Sequence, residues 1–226
     1  MNHLLRHIRT LMLVVALAAT TFGVYSQDYK LEAGVGAGIS GYLGDINQSN
    51  VLRRPGYAAE VSIKYLINKR FAAKAAISTA KISGNSEDFD MVFPDGATYK
   101  FGHPYYDVSA AFEFNFFNFG IGSPYQKLKR ITPYITLGIG AAYAPEAKAF
   151  SPMIPIGVGA KYKLKSRINL GVEMRAKMML GDKIDGLTDL RGMNSSFMKN
   201  TDWCPTLMFS ISYEFKEVCK TCHYVE

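Results

Sequence analysis

The stretch Tyr106-Asp107-Val108-Ser109-Ala110-Ala111-Phe112-Glu113-Phe114-Asn115-Phe116 decides the fold. Tyr106, Val108, Ala110, Phe112, Phe114 and Phe116 fall on one side of an extended chain. Asp107, Ser109, Glu113 and Asn115 fall on the other. Successive side chains of a pleated strand point opposite ways, so alternation at period two predicts a strand with one apolar and one polar face.

The theme recurs along the chain, giving eight such segments: 29–39, 56–67, 71–83, 106–116, 131–143, 154–164, 168–178 and 207–215. In the second, Tyr57, Ala59, Val61, Ile63, Tyr65 and Ile67 oppose Glu60, Ser62 and Lys64. In the seventh, Ile168, Leu170, Val172, Met174, Ala176 and Met178 oppose Glu173, Arg175 and Lys177. A soluble barrel or sandwich would turn the apolar face inward; a membrane barrel turns it out to lipid. Three features favour the membrane barrel. Segment lengths match the roughly 9–11 residues a tilted strand needs to cross a bilayer. Aromatics such as Tyr29, Tyr57, Tyr106, Phe116, Tyr143, Tyr162 and Phe215 sit near segment ends, as an interface girdle would. The other faces carry Lys64, Lys74, Glu113, Glu173 and Arg175 in mid-strand, which a sealed apolar core would not accept. The expectation is an all-β fold, an eight-stranded antiparallel transmembrane β-barrel over residues 27–215. Its narrow lumen is filled by paired charges rather than open as a pore.

The first 26 residues read as a secretory signal peptide. Arg6 and Arg9 supply its positive start and residues 11–19 its apolar run, with small residues before a cut near Ser26. No cysteine stands near that cut to suggest a lipoprotein. Of 26 basic residues, the loss of Arg6 and Arg9 leaves 24 against 19 acidic ones. That dispersed excess, on an exported chain, gives no reason to expect nucleic acid as a partner. Membrane lipid is the expected surrounding.

The connectors alternate in length. Asn68-Lys69-Arg70 and Lys165-Ser166-Arg167 are tight, whereas the stretches near 40–55, 84–103 and 181–204 are long and 144–151 is intermediate. Outer-membrane barrels keep short turns in the periplasm and long loops outside. Both termini then fall in the periplasm, with a C-terminal tail at residues 216–226. One periplasmic connector is longer than needed. It runs from Asn118 through Tyr125, Lys127 and Lys129 to Arg130, and it is a candidate contact surface.

The tail carries Cys219-Lys220-Thr221-Cys222-His223. This matches the spacing of covalent haem attachment, but almost no chain follows to enclose a macrocycle, so no cofactor is expected. In an oxidising compartment Cys219 and Cys222 can pair with each other, or one of them can bond a partner. Cys204 is expected in the fourth outer loop, across the membrane from both. His103, expected in the second long loop near Tyr105 and Asp107, is the one histidine placed for a lipid-modifying reaction. No sequence context marks a serine for it, and no catalytic or metal-binding residue is assigned. Asp45, Asp88, Asp90 and Asp95 lack calcium-loop spacing.

Tyr42-Leu43-Gly44-Asp45, Glu113-Phe114-Asn115-Phe116-Phe117, Thr132-Pro133-Tyr134 and Thr188-Asp189 occur in that order. In order and spacing the chain resembles the PorG family of outer-membrane barrels of the type IX secretion system. The resemblance implies a non-enzymatic component that ties a periplasmic ring, built from a lipoprotein and its partner, to the outer membrane. The expected contacts are Asn118, Tyr125, Lys127, Lys129 and Arg130 in the turn, with Cys219, Cys222 and His223 in the tail. An intermolecular disulfide through the tail is among them. The alternative is a passive structural or adhesion barrel that acts through its outer loops.

Overall fold

The computed structural model describes residues 29–43, 54–85, 100–121, 127–180 and 202–217. They form one closed antiparallel barrel in which each strand pairs with the next and the last with the first. The strands are β1 (Tyr29–Ser40), β2 (Gly56–Leu66), β3 (Phe71–Asn85), β4 (Lys100–Asn115), β5 (Ile131–Ala144), β6 (Ala149–Lys163), β7 (Ile168–Met179) and β8 (Trp203–Glu217).

Alternation maps onto the two faces as expected. Val61, Phe112 and Ile139 point outward and are 63%, 67% and 72% exposed, whereas Glu113 points inward and is fully buried. Two aromatic belts bound the apolar band. At the long-loop end Tyr106 pairs with Tyr143, which pairs with Phe150. At the other end stand Tyr65, Phe71, Phe116, Tyr162 and Tyr213, all exposed. An apolar exterior around a charged interior cannot be a water-soluble barrel, because the hydrophobic effect would reverse it. The chain is a bacterial outer-membrane β-barrel, and barrels of this kind keep their short turns on the periplasmic side.

Several strand boundaries differ from the expectation, most of them by one or two residues and three by more. The fourth strand begins at Lys100 rather than Tyr106, the sixth at Ala149 rather than Ile154, and the eighth at Trp203 rather than Leu207. The third runs on to Asn85. Gly102 and Pro104 read as loop, yet pairing of β4 with β5 stops at Tyr106, so Pro104 has a ladder partner on one side only. A proline is tolerated at such an edge. Pro205 lies likewise just beyond Thr206, the last β8 residue in register with β1. Extending β8 to Glu217 moves the start of the tail by two residues from position 216.

These extensions relocate two residues. His103 is not in a loop; it lies in β4 and is buried, pointing inward. Cys204 is not in an outer loop either. It lies in β8 as a buried thiol among Tyr105, Met153 and Met179. The connector expected at 144–151 and of intermediate length is a four-residue turn, 145–148. The signal peptide at 1–26 lies outside the described residues.

Candidate functional site at the periplasmic mouth

The lumen is filled in layers. At the outer end Tyr42, Ile82, Tyr105, Met153, Met179 and Met208 pack into an apolar plug, with Phe101 against it. Tyr42 stands edge-on to Phe101 at 5.0 Å and donates to Asp202 Oδ1 at 3.0 Å. Below the plug, Lys177 pairs with Asp107 at 2.5 Å and donates to the Ser78 hydroxyl at 2.7 Å.

In mid-lumen Lys74 and Arg175 share two carboxylates. Lys74 Nζ is 2.6 Å from Glu60 and 3.4 Å from Glu173. Arg175 binds Glu173 at 2.7 Å through Nε and also binds Glu60. Tyr134 donates to Glu173 at 3.0 Å. The next layer centres on Glu113, which takes Lys64 at 2.8 Å and Lys161. Lys64 reaches on to Glu32 at 3.3 Å, and Lys163 sits 2.6 Å from Glu214. Among the described residues, six carboxylates (Glu32, Glu60, Asp107, Glu113, Glu173, Glu214) meet six cations (Lys64, Lys74, Lys161, Lys163, Arg175, Lys177). Buried charge is tolerated when it is paired and hydrogen-bonded, and here the two signs balance. Inward glycines leave room for these long side chains. A Cβ at Gly159 would stand 2.6 Å from Tyr134 Cζ.

At the periplasmic end the described parts of the connector between β4 and β5, residues 116–121 and 127–130, lie at the mouth of the barrel. Phe119 is turned in and buried, and the ammonium groups of Lys161 and Lys163 stand 4.6 and 5.2 Å from its ring centre. The Phe119 amide donates to the Lys69 carbonyl at 3.3 Å. Lys129 N donates to Asn118 O at 2.8 Å and Gly120 N to Lys129 O at 3.1 Å, so the two ends of the connector are clipped together. Arg70 Nε donates to Asn118 Oδ1 at 3.0 Å, which ties the connector to the β2–β3 turn. Asn68 Oδ1 in turn accepts from the amides of Arg70 and Phe71, both at 2.8 Å. Above this cap lies a cavity of about 150 Å³ bordered by Asn115, Phe119, Lys161, Lys163 and Glu214.

The rim around the cap is basic. Arg70, Lys127, Lys129, Arg130, Lys165 and Lys216 are exposed there, and no exposed carboxylate joins them among the described side chains. Lys129 lies over the Phe117 ring at 3.9 Å. Arg167 lies 5.3 Å from the Tyr29 ring and donates to the Tyr213 hydroxyl at 3.1 Å. Aromatic faces thus hold Lys129 and Arg167 close to the barrel wall.

Of the expected contact residues, Asn118, Lys127, Lys129 and Arg130 come together on this face. Tyr125, Cys219, Cys222 and His223 lie outside the described residues. Phe119 and Arg70 were not anticipated; strand alternation says nothing of a loop side chain, and only an aromatic directly before Gly120 hinted at an inward turn. His103, 5.7 Å from the Phe101 ring, faces the lumen and not the lipid. Among the described residues no group of three His, Cys, Asp or Glu side chains could hold a metal ion.

Among solved structures, the chain is similar to Neisserial surface protein A, at 12% identity and TM-score 0.49, covering 82% of this chain and 97% of that one. It is similar to Ail, the attachment invasion locus protein of Yersinia pestis, at 12% identity and TM-score 0.47, covering 84% and 100%. The outer membrane protein OprG from Pseudomonas aeruginosa matches at 9% identity and TM-score 0.45, covering 84% and 99%. No curated protein matches the chain. A family model does match, over residues 7–225, and the chain belongs to that family, DUF6089, a domain of unknown function.

Proposed function

We propose that this barrel is a non-enzymatic anchor which docks a periplasmic protein assembly at the outer membrane through its capped, basic periplasmic mouth. The observation that carries the reading is the cap itself. Phe119 and the Arg70–Asn118 bond fix the described ends of an overlong periplasmic connector against the barrel. A barrel whose lumen is occupied by paired charges has little to offer as a conduit. An ordered, charged face on rigid strands suits recognition.

The resemblance to the PorG family extends this reading. The partner is then a ring-forming lipoprotein with its companion in a type IX secretion machine, and the tail cysteines Cys219 and Cys222 offer a covalent link to it. The test is purification of tagged protein from detergent-solubilised outer membranes, resolved on reducing and non-reducing gels. The expected result is a periplasmic lipoprotein that co-purifies and is lost when Arg70 and Lys129 are changed to Glu. A heavy band that collapses on reduction assigns the tail disulfide. Retention of function without any periplasmic partner, together with its loss on alteration of the outer loops, contradicts the anchor and favours an adhesion barrel.

A further inference from the structure

A second cationic site lies at the opposite end of the barrel, on its outer wall. The β3–β4 hairpin continues past the start of β2, and a cleft of about 490 Å³ opens at that shoulder. Lys81 and Ser83 of β3, Lys100 and Gly102 of β4, and Arg54 before β2 line it. Ser83 donates to the Arg54 carbonyl at 3.0 Å and so holds the segment before β2 against the hairpin. Among the described residues, no carboxylate lines the cleft. Neither Lys81 nor Lys100 forms an ion pair among the described residues, and both are exposed.

The level of this cleft relative to lipid follows from register. Thr79 pairs with Tyr106 of the outer aromatic belt, and Lys81 stands two residues further toward the loops. At the strand rise of about 3.3 Å per residue, that is one step above the belt. The Lys81 stem runs on in the same direction. Its Cε comes within 4.0 Å of where a Gly102 Cβ would be, although Lys81 itself pairs with Pro104. A lysine on the lipid side turns its ammonium toward the headgroups in this way. Lys81 and Lys100 are like charges on one cleft, and an anion between them lowers their repulsion.

We infer that this cleft binds the phosphate of a phosphorylated glycolipid of the outer leaflet. The lysines act as point charges on the phosphate oxygens, and the absent side chain of Gly102 leaves the floor open.

The test is native mass spectrometry of the mature, detergent-solubilised protein titrated with phosphorylated lipid A, with dephosphorylated lipid A and with inorganic phosphate. We expect one phosphorylated lipid A per barrel, and binding about tenfold weaker or worse in the Lys81→Gln/Lys100→Gln double variant. The Lys81→Arg/Lys100→Arg variant retains binding, and so does the periplasmic control Lys165→Gln/Lys216→Gln. Heat-dependent gel mobility verifies that each barrel is folded. Equal binding by the Gln variant overturns the site, as does equal loss in the periplasmic control. Equal binding of dephosphorylated lipid A overturns the phosphate, and inorganic phosphate binding as tightly as the lipid overturns the lipid.

Discussion

The ammonium of Lys161 pairs with Glu113 inside the barrel while standing 4.6 Å from the centre of the Phe119 ring beneath it. One side chain thereby joins the ionic filling of the lumen to the periplasmic cap. A cation over an aromatic face that is shielded from water contributes roughly 1–2 kcal/mol beyond area burial. Phe119→Ala is expected to lower stability by about 3 kcal/mol, through lost burial and a widened cavity. Phe119→Leu, which restores bulk but no ring, is expected to lose only about 1 kcal/mol. Urea unfolding of the reconstituted barrel measures both, and a Leu variant as stable as the parent barrel would refute the ring's electrostatic part.

Glu113 is fully buried and receives both Lys64 and Lys161. Glu113→Gln leaves two buried cations without their shared anion and is expected to destabilise by about 3–5 kcal/mol. Adding Lys64→Met removes one of those stranded charges, so the double variant should regain part of the loss. A double-mutant cycle checks this, and simple additivity of the two changes would contradict a shared site.

The layered filling also has an electrical consequence. The protein in planar bilayers is expected to give no stable conductance steps. The Lys74, Arg175, Glu60 and Glu173 layer and the outer apolar plug both block the way. Long-lived openings in folded protein would show that the filling moves aside.

Cys204 offers a probe of the plug. In a Cys219→Ser/Cys222→Ser background, the buried Cys204 thiol should resist maleimide in the folded barrel and react once the barrel is denatured. Rapid labelling of the folded form would place Cys204 back in an accessible loop.

Much of the barrel was legible because alternation at period two leaves a regular trace, and Tyr106 to Phe116 shows it most cleanly. The strand ends were not legible where prolines and glycines sit on edges. Pro104 and Gly102 carry the same residue signals as a turn, and only the absence of β5 beyond Tyr106 makes them acceptable in a strand. This single misreading moved His103 from a solvated loop into the lumen. Inward charges could be identified from the pattern, but their partners could not. Glu60 of β2 meets Arg175 of β7 across the lumen, a relation set by closure of the barrel rather than by adjacent strands. Within the candidate site, Lys127, Lys129 and Arg130 were visible as a charged connector. The inward turn of Phe119 depends on backbone bonds to Lys69 and Lys129 that no local pattern announces.

The most direct test of the anchor is site-specific photo-crosslinking in living cells. A photoreactive residue replaces Lys127 or Lys129 on the periplasmic rim, or Glu146 in the outer turn between β5 and β6. The account predicts a discrete crosslink to a periplasmic protein from positions 127 and 129, abolished by Arg70→Glu, and none from position 146. Crosslinks from position 146 alone, with a bare periplasmic rim, would contradict it and move the function to the outer loops.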